Sequence, residues 1–435
     1  MKRDSVTYRV LMLFCSNSAL TLLGFAYRIA LSRNVAATAL GLNSLVMQVY
    51  GIVVSVCIPG LNVALSALAA RIDRKELRML FLSAAAAFTA LWLTASAPIC
   101  ILRKRISVGA LGSPGTEKTL LLMLFCIYLT GIENLLRAIH IGQKKVAPCA
   151  ISELTEQSAR FVLVLILVKK LSDGTDEMAV FLIMLGMVLS EFVSVTFLGS
   201  SFYRSFGRYG SKAGERKLML KEIAVIAFPA TLTAASSTVF ASAGSLILPV
   251  KLMDFGMSRA EALSGIGILN TAATPVAMLP MPLISAIAAV IMPEISSLGA
   301  EGKDASGLVS KAFKAVAIYG AASCVILLLT SDGIARSLFG ISPERDVFPL
   351  LLIKAFVIYM QVTGAAVLNG LMRQKTVFVL AFFGEAYQFA LILLLTPVLG
   401  IRGYIAGMTV GELARLVMTL LVIFRKNKLA KIVVS

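Results

Sequence analysis

Apolar runs of membrane-spanning length follow one another down almost the whole chain. Stretches such as 40-LGLNSLVMQVYGIVVSVCIPGLNVALSALAA-70 and 177-EMAVFLIMLGMVLSEFVSVTFLGSS-201 are too long for strands and too evenly apolar for surface helices. A helix needs about 20 apolar residues to cross a bilayer. By that measure roughly twelve segments qualify: 8–31, 40–70, 77–101, 119–142, 149–168, 177–201, 220–249, 263–293, 310–330, 347–371, 375–397 and 402–424. The composition agrees. The 435 residues are 58% apolar and 15% charged, against about half and a quarter in soluble domains. The fold class read from this is an all-α polytopic membrane protein. The run after MKRDSVTYR is too long for a signal peptide and reads as a retained first membrane helix.

The net charge of +18 gathers between the apolar blocks, which reads as loop anchoring rather than a nucleic-acid footprint. With the N-terminus inside, about 24 basic residues fall on the inner side and about 14 on the outer, so both termini are expected in the cytoplasm. The most polar loop, 203-YRSFGRYGSKAGERKLMLKE-222, separates six segments from six. The expected domains are therefore an N-terminal lobe (1–205), a cytoplasmic linker (206–222) and a C-terminal lobe (223–435). An even number of helices per half makes the halves parallel repeats. GQKK (142–145) and MRQK (372–375), at corresponding junctions, are a faint echo of that repeat.

The six cysteines (Cys15, Cys57, Cys100, Cys126, Cys149, Cys324) stand singly in apolar segments, and His140 is the only histidine. Neither pattern builds a metal or disulfide framework. No metal and no cofactor are expected. The loops are short, so a soluble catalytic module has no place, and the chain does not read as an enzyme.

Polar residues inside membrane segments are the functional candidates. Asn17, Thr21 and Arg28 are spaced by four and seven residues and share one face of the first segment. That stripe suits a hydrated cavity. By length alone, Arg28 lies near the outer surface and also suits a snorkelling interfacial charge. Glu133 and Arg137 pair four apart, as a structural pair or as a cavity wall, and Glu156 and Arg160 pair likewise at the start of the fifth segment. His140, one turn from a basic loop, reads as interfacial. Glu191 and Glu385 have no evident partner on their own segments and are candidates for ion coupling. Glu412 has Arg415 nearby. Asn270 is the most polar residue of the eighth segment. Pro59, Pro275, Pro280 and Pro282 are candidates for bending and gating, because a proline removes a backbone donor.

The stretches 23-LGFAYRIALSR-33 and 40–71, the junction 142-GQKKVAPCAISELTEQSAR-160, and the proline-rich eighth segment closing on MPEIS (292–296) resemble the stage V sporulation protein B group. That group belongs to the multidrug/oligosaccharidyl-lipid/polysaccharide (MOP) flippase superfamily, beside the lipid II flippases. The resemblance implies two six-helix lobes around a central cavity that opens to each side in turn. It implies a cargo of undecaprenyl-pyrophosphate-linked saccharide carried to the outer leaflet of the plasma membrane. It also gives Arg28, in the Tyr-Arg pair, a role at the pyrophosphate. Thr21 stands where lipid II flippases carry a further arginine, and 231-TLTAASSTVFASAG-244 lacks the charges many relatives have there. Both departures read against lipid II as the cargo. The expected partners are the lipid-linked saccharide and membrane lipids, with no nucleic acid, in a monomer. The competing expectation is a cation-coupled multidrug exporter of the same fold.

Overall fold

The computed structural model describes residues 6–74, 76–206, 213–301, 303–334, 337, 339 and 347–424; within these, the side chains of 6–18, 206, 213–218, 233, 300, 331 and 332 are not described. The basic tail 425–435 and residues 207–212 of the expected linker 206–222 lie outside the described residues. Among the described residues every regular element is helical. Among the described residues nine helical stretches are long and apolar enough to cross a membrane, so the chain is a multi-pass membrane protein.

The chain divides into two compact units, Met1–Ser242 and Ala243–Ser435. The first holds α1 (Val6–Asn34), α2 (Ala37–Cys57), α3 (Pro59–Ala69), α4 (Leu77–Arg105), α5 (Glu117–Gly142), α6 (Val146–Leu171), α7 (Asp176–Phe206) and most of α8 (Ala213–Asp254). The second segment is thus two helices. Ile58, with φ −107° and ψ −51°, ends α2, and Pro59 opens α3 in the first turn, where its missing N–H costs nothing. Helix α6 carries Glu153, Glu156 and Arg160 within its 26 residues. Thr175 starts α7 by accepting from the Met178 amide at 3.3 Å. The preceding Asp173 accepts from the Thr175 hydroxyl and amide, which holds its carboxyl below the usual range.

Helix α5 is the hub of this unit. Trp92 of α4 donates to the Leu124 carbonyl at 3.0 Å, the Tyr50 hydroxyl meets Thr130 at 3.0 Å, and Asn62 of α3 donates to Asn134 at 3.1 Å. His140 is fully buried against α7. Its Nδ1 lies 2.8 Å from the Leu136 carbonyl, which can only accept, so Nδ1 carries the hydrogen and Nε2 faces the Ser201 hydroxyl at 3.1 Å.

The second unit contains α9 (Arg259–Ile268), α10 (Thr274–Ala277), α11 (Met281–Ala300), α12 (Ser306–Ile334), α13 (Val347–Gly370) and α14 (Gln374–Phe424). A capping box of Ser258 and Glu261 begins α9. The eighth segment is cut into three helical pieces. Pro275 has no N–H to offer the Thr271 carbonyl, and the turn before it, Leu269–Ala273, widens into a π-helix. Pro280 caps α11 and Pro282 lies in its first turn. At this break Met281 donates to Met278, and the Ala277 carbonyl is satisfied instead by the buried Tyr359 hydroxyl at 2.5 Å. The eleventh and twelfth segments run on as the 51-residue α14. Gly400 within it takes φ 61° and ψ −139° beside Phe255, a conformation open to glycine.

The two units repeat one junction in detail. Lys144, between α5 and α6, has φ 59°, and Met372, between α13 and α14, has φ 57°; these are the two non-glycine residues with positive φ among the described residues. Amides 143, 144 and 145 donate to carbonyls 139, 141 and 140, as amides 371, 372 and 373 donate to 367, 369 and 368. Gly142 presses on the Ser66 carbonyl of α3, and Gly370 presses on the Met292 carbonyl of α11. This register pairs Gly142 with Gly370, so the GQKK and MRQK echo lies two residues out of step with it.

Candidate functional site

The buried charges of the first unit converge from α5, α6 and α7. Spacing of four puts Glu133 over Arg137 on α5, and Glu156 over Arg160 on α6, and both intrahelical pairs form. Packing of the three helices then joins the pairs. Arg137 also reaches Glu156 at 3.8 Å and the half-exposed Glu153 at 3.8 Å. Arg160 reaches Glu191 of α7 at 3.3 Å, and its Nε donates to Ser190 at 3.3 Å. Ser194 donates to Glu133 at 2.7 Å and lies 2.6 Å from the Ser152 hydroxyl. Glu133, Glu156 and Glu191 are 2%, 5% and 3% exposed. Each offers a carboxylate oxygen within 4.8 Å of the other two. Glu191, without a partner on its own helix, therefore finds one on α6.

Thr21 and Arg28 are both exposed on α1. This helix packs on α6, with Tyr27 meeting Phe161 edge-on at 6.2 Å. Asn17 lies on α1, and its side chain is outside the described residues.

The second unit holds its own cluster. Arg415 bridges Glu385 at 3.3 Å and Glu412 at 2.7 Å, all on α14. Gly384 makes room for the stem of Arg415, since a Cβ there would sit 2.9 Å from Cδ. Glu385 thus also has an arginine partner from beyond its own segment. Lys354 of α13, only 8% exposed, faces Glu385 and Glu412, and its Nζ lies 3.3 Å from the Met408 sulfur. Sequence reasoning passed over Lys354. The signal was present, since it is the one charged side chain in 347-VFPLLLIKAFVIYMQVTGAAVLNGLM-372. Asn270 is half-buried in the π-helical turn of the second unit. The candidates thus fall into three places: the α1 surface, the α5–α6–α7 cluster, and the second unit.

Residues 6–299 match the family described as polysaccharide biosynthesis protein. The chain belongs to that family. No curated protein matches it. Among solved structures, this family member is similar to an inward-facing multidrug resistance MATE transporter of the MOP superfamily, at 18% identity and a TM-score of 0.75, covering 92% of this chain and 93% of that one. It is similar to the lipid II flippase MurJ in an inward closed conformation, at 14% identity and 0.71, covering 94% and 87%. A third is a MOP superfamily transporter from Pyrococcus furiosus, whose binding pocket has reversed polarity, at 16% identity and 0.62, covering 94% and 92%. At these identities the likeness shows that the family member has the MOP transporter fold.

Proposed function

We propose that the protein carries an undecaprenyl-pyrophosphate-linked saccharide from the cytoplasmic to the outer leaflet of the plasma membrane, with both termini in the cytoplasm. Family membership carries this reading. The protein's described residues form membrane helices with short connections. It contributes by moving an intermediate. The pyrophosphate head group is anionic and cannot cross hydrocarbon unaided. A hydrated cavity open to each side in turn shields it while the lipid tail stays in the bilayer. An inside-negative potential favours outward movement, by about 2.3 kcal/mol per charge per 100 mV.

Arg28 is the proposed phosphate contact. The residue is exposed on α1, and a guanidinium binds phosphate bidentately. Thr21, one face along the same helix, would meet the saccharide or its water. Transport of a fluorescent undecaprenyl-pyrophosphate saccharide in proteoliposomes tests this. Charge-assisted hydrogen bonds contribute about 1.5–3 kcal/mol, so Arg28→Ala should slow transport roughly 10- to 100-fold. Wild-type transport by that variant removes Arg28 from the mechanism. The second reading, a cation-coupled multidrug exporter, draws on the buried carboxylates. It takes over if the protein moves cationic dyes instead and Glu191→Gln or Glu385→Gln abolishes that movement.

A further inference from the structure

Two turns meet at one end of the first unit, the α3–α4 turn after Ala69 and the α5–α6 turn after Gly142. Gln143 donates to the Ala69 carbonyl, and Gly142 presses on the Ser66 carbonyl, so the two turns are fixed against each other. Both are basic. Arg71, Arg74 and Lys144 are exposed, and Arg78 and Lys145 are half-buried. The acids in these turns are Asp73 and Glu76, both exposed. Among the described residues, none of Arg71, Arg74, Arg78 and Lys144 is paired with an acid. Burial and the neighbouring Arg74 guanidinium push the Lys145 ammonium below the usual lysine range. Like charges held this close repel each other.

The fold does not require that excess of basic side chains. At the matching turns of the second unit, Met372 stands where Lys144 does, and Lys303 pairs with Glu301 at 2.7 Å. Apolar surface begins immediately inside the charges. Leu82, one helical turn beyond Arg78, and Ile141, three residues before Lys144, are 47% and 49% exposed on membrane-length helices. The basic side chains thus lie at the depth of lipid phosphates, beside surface that lipid chains cover.

We propose that this end of the first unit binds the headgroup of an anionic glycerophospholipid, with the phosphate between Arg74 and Lys145 and the chains against the adjacent apolar surface. A phosphate there accepts from a guanidinium and an ammonium at once and cancels their repulsion. Arg71, Arg78 and Lys144 add to the attraction, as clustered basic side chains do beside anionic lipid. A zwitterionic headgroup also carries phosphate, but its own cation restores the repulsion. The bound lipid staples the α3–α4 turn to the α5–α6 turn.

The test uses the full chain purified in a neutral detergent at low salt, with water-soluble short-chain phosphatidylglycerol or phosphatidylcholine added. The unfolding midpoint of the wild type should rise with phosphatidylglycerol and level off, and phosphatidylcholine should leave it unchanged. The double variant Arg74→Gln, Lys145→Gln should lose that rise. Without lipid it should unfold no lower than the wild type, because the repulsion is gone. Lys104→Gln with Arg105→Gln, exposed at the other end of α4, should keep the rise. If the first double variant does not fold, Arg74→Gln alone decides, with about a tenfold higher half-saturating lipid concentration expected. An equal rise from phosphatidylcholine overturns the proposal, as does an undiminished rise in the double variant. A larger rise from inorganic phosphate would mark a free-phosphate site, and a larger rise from undecaprenyl pyrophosphate a cargo site; either result overturns it too. No transport is measured, so the saccharide reading stands or falls separately.

Discussion

Two residues, Lys144 and Met372, sit in a left-handed conformation that a side chain occupies at a cost of about 1–3 kcal/mol. Glycine accepts it freely, so Met372→Gly should raise the unfolding midpoint. The glycines two residues earlier behave in the opposite way. A Cβ at Gly142 would lie 2.5 Å from the Ser66 carbonyl, and one at Gly370 would lie 2.7 Å from the Met292 carbonyl. Each change to alanine should cost about 1–3 kcal/mol, read by thermal unfolding. None of this could be read from the letters. GQKK and MRQK resemble each other, yet the matched backbone pairs Gly142 with Gly370, where the surrounding letters differ. The conserved quantity is a close approach and a turn, and neither has a single-residue signature.

At the scale of elements, α5, α6 and α7 are held together by guanidiniums that serve acids on two helices each. Removing a shared cation leaves buried carboxylates without a partner, which costs about 3–5 kcal/mol. Arg160→Leu should therefore destabilise by that amount, and Arg415→Leu should do the same for α14; a change below about 1 kcal/mol in detergent unfolding would contradict the bridging geometry. The helices themselves were legible, because hydropathy reads length directly, and every segment expected from the sequence falls on a helix. The breaks were legible only where proline marks them, at Pro59 and around Pro275 to Pro282. The fusion of two segments into α14 was not, since Gly400 turns the chain without interrupting its apolar run. The intrahelical pairs were visible from their spacing of four. The partners of Glu191 and Glu385 were not, because they come from helices brought near only by packing.

Across the whole molecule the two units share a junction and differ in charge. The first has three buried acids to two bases. The second has two of each, Glu385 and Glu412 with Arg415 and Lys354. Lys354→Met should leave the two acids of this cluster sharing one guanidinium, and a lowered unfolding midpoint in detergent is the expected readout. An unchanged midpoint would mean that Lys354 does not offset the buried acids.

The intrahelical pairs also bear on the order of synthesis. A lone charge at the centre of a helix entering the bilayer costs about 2.5–3.5 kcal/mol. Helix α5 emerges with Glu133 and Arg137 already paired, and α6 with Glu156 and Arg160 paired, so each enters with these charges cancelled. Glu191 arrives unaccompanied on α7, last of the three, when Arg160 is already in place to receive it. The second unit meets the opposite schedule: Lys354 enters first, and its acids follow on α14. Stalling translation after α13 should therefore leave a helix that inserts poorly, and glycosylation tags flanking α13 should show Lys354→Met restoring its insertion.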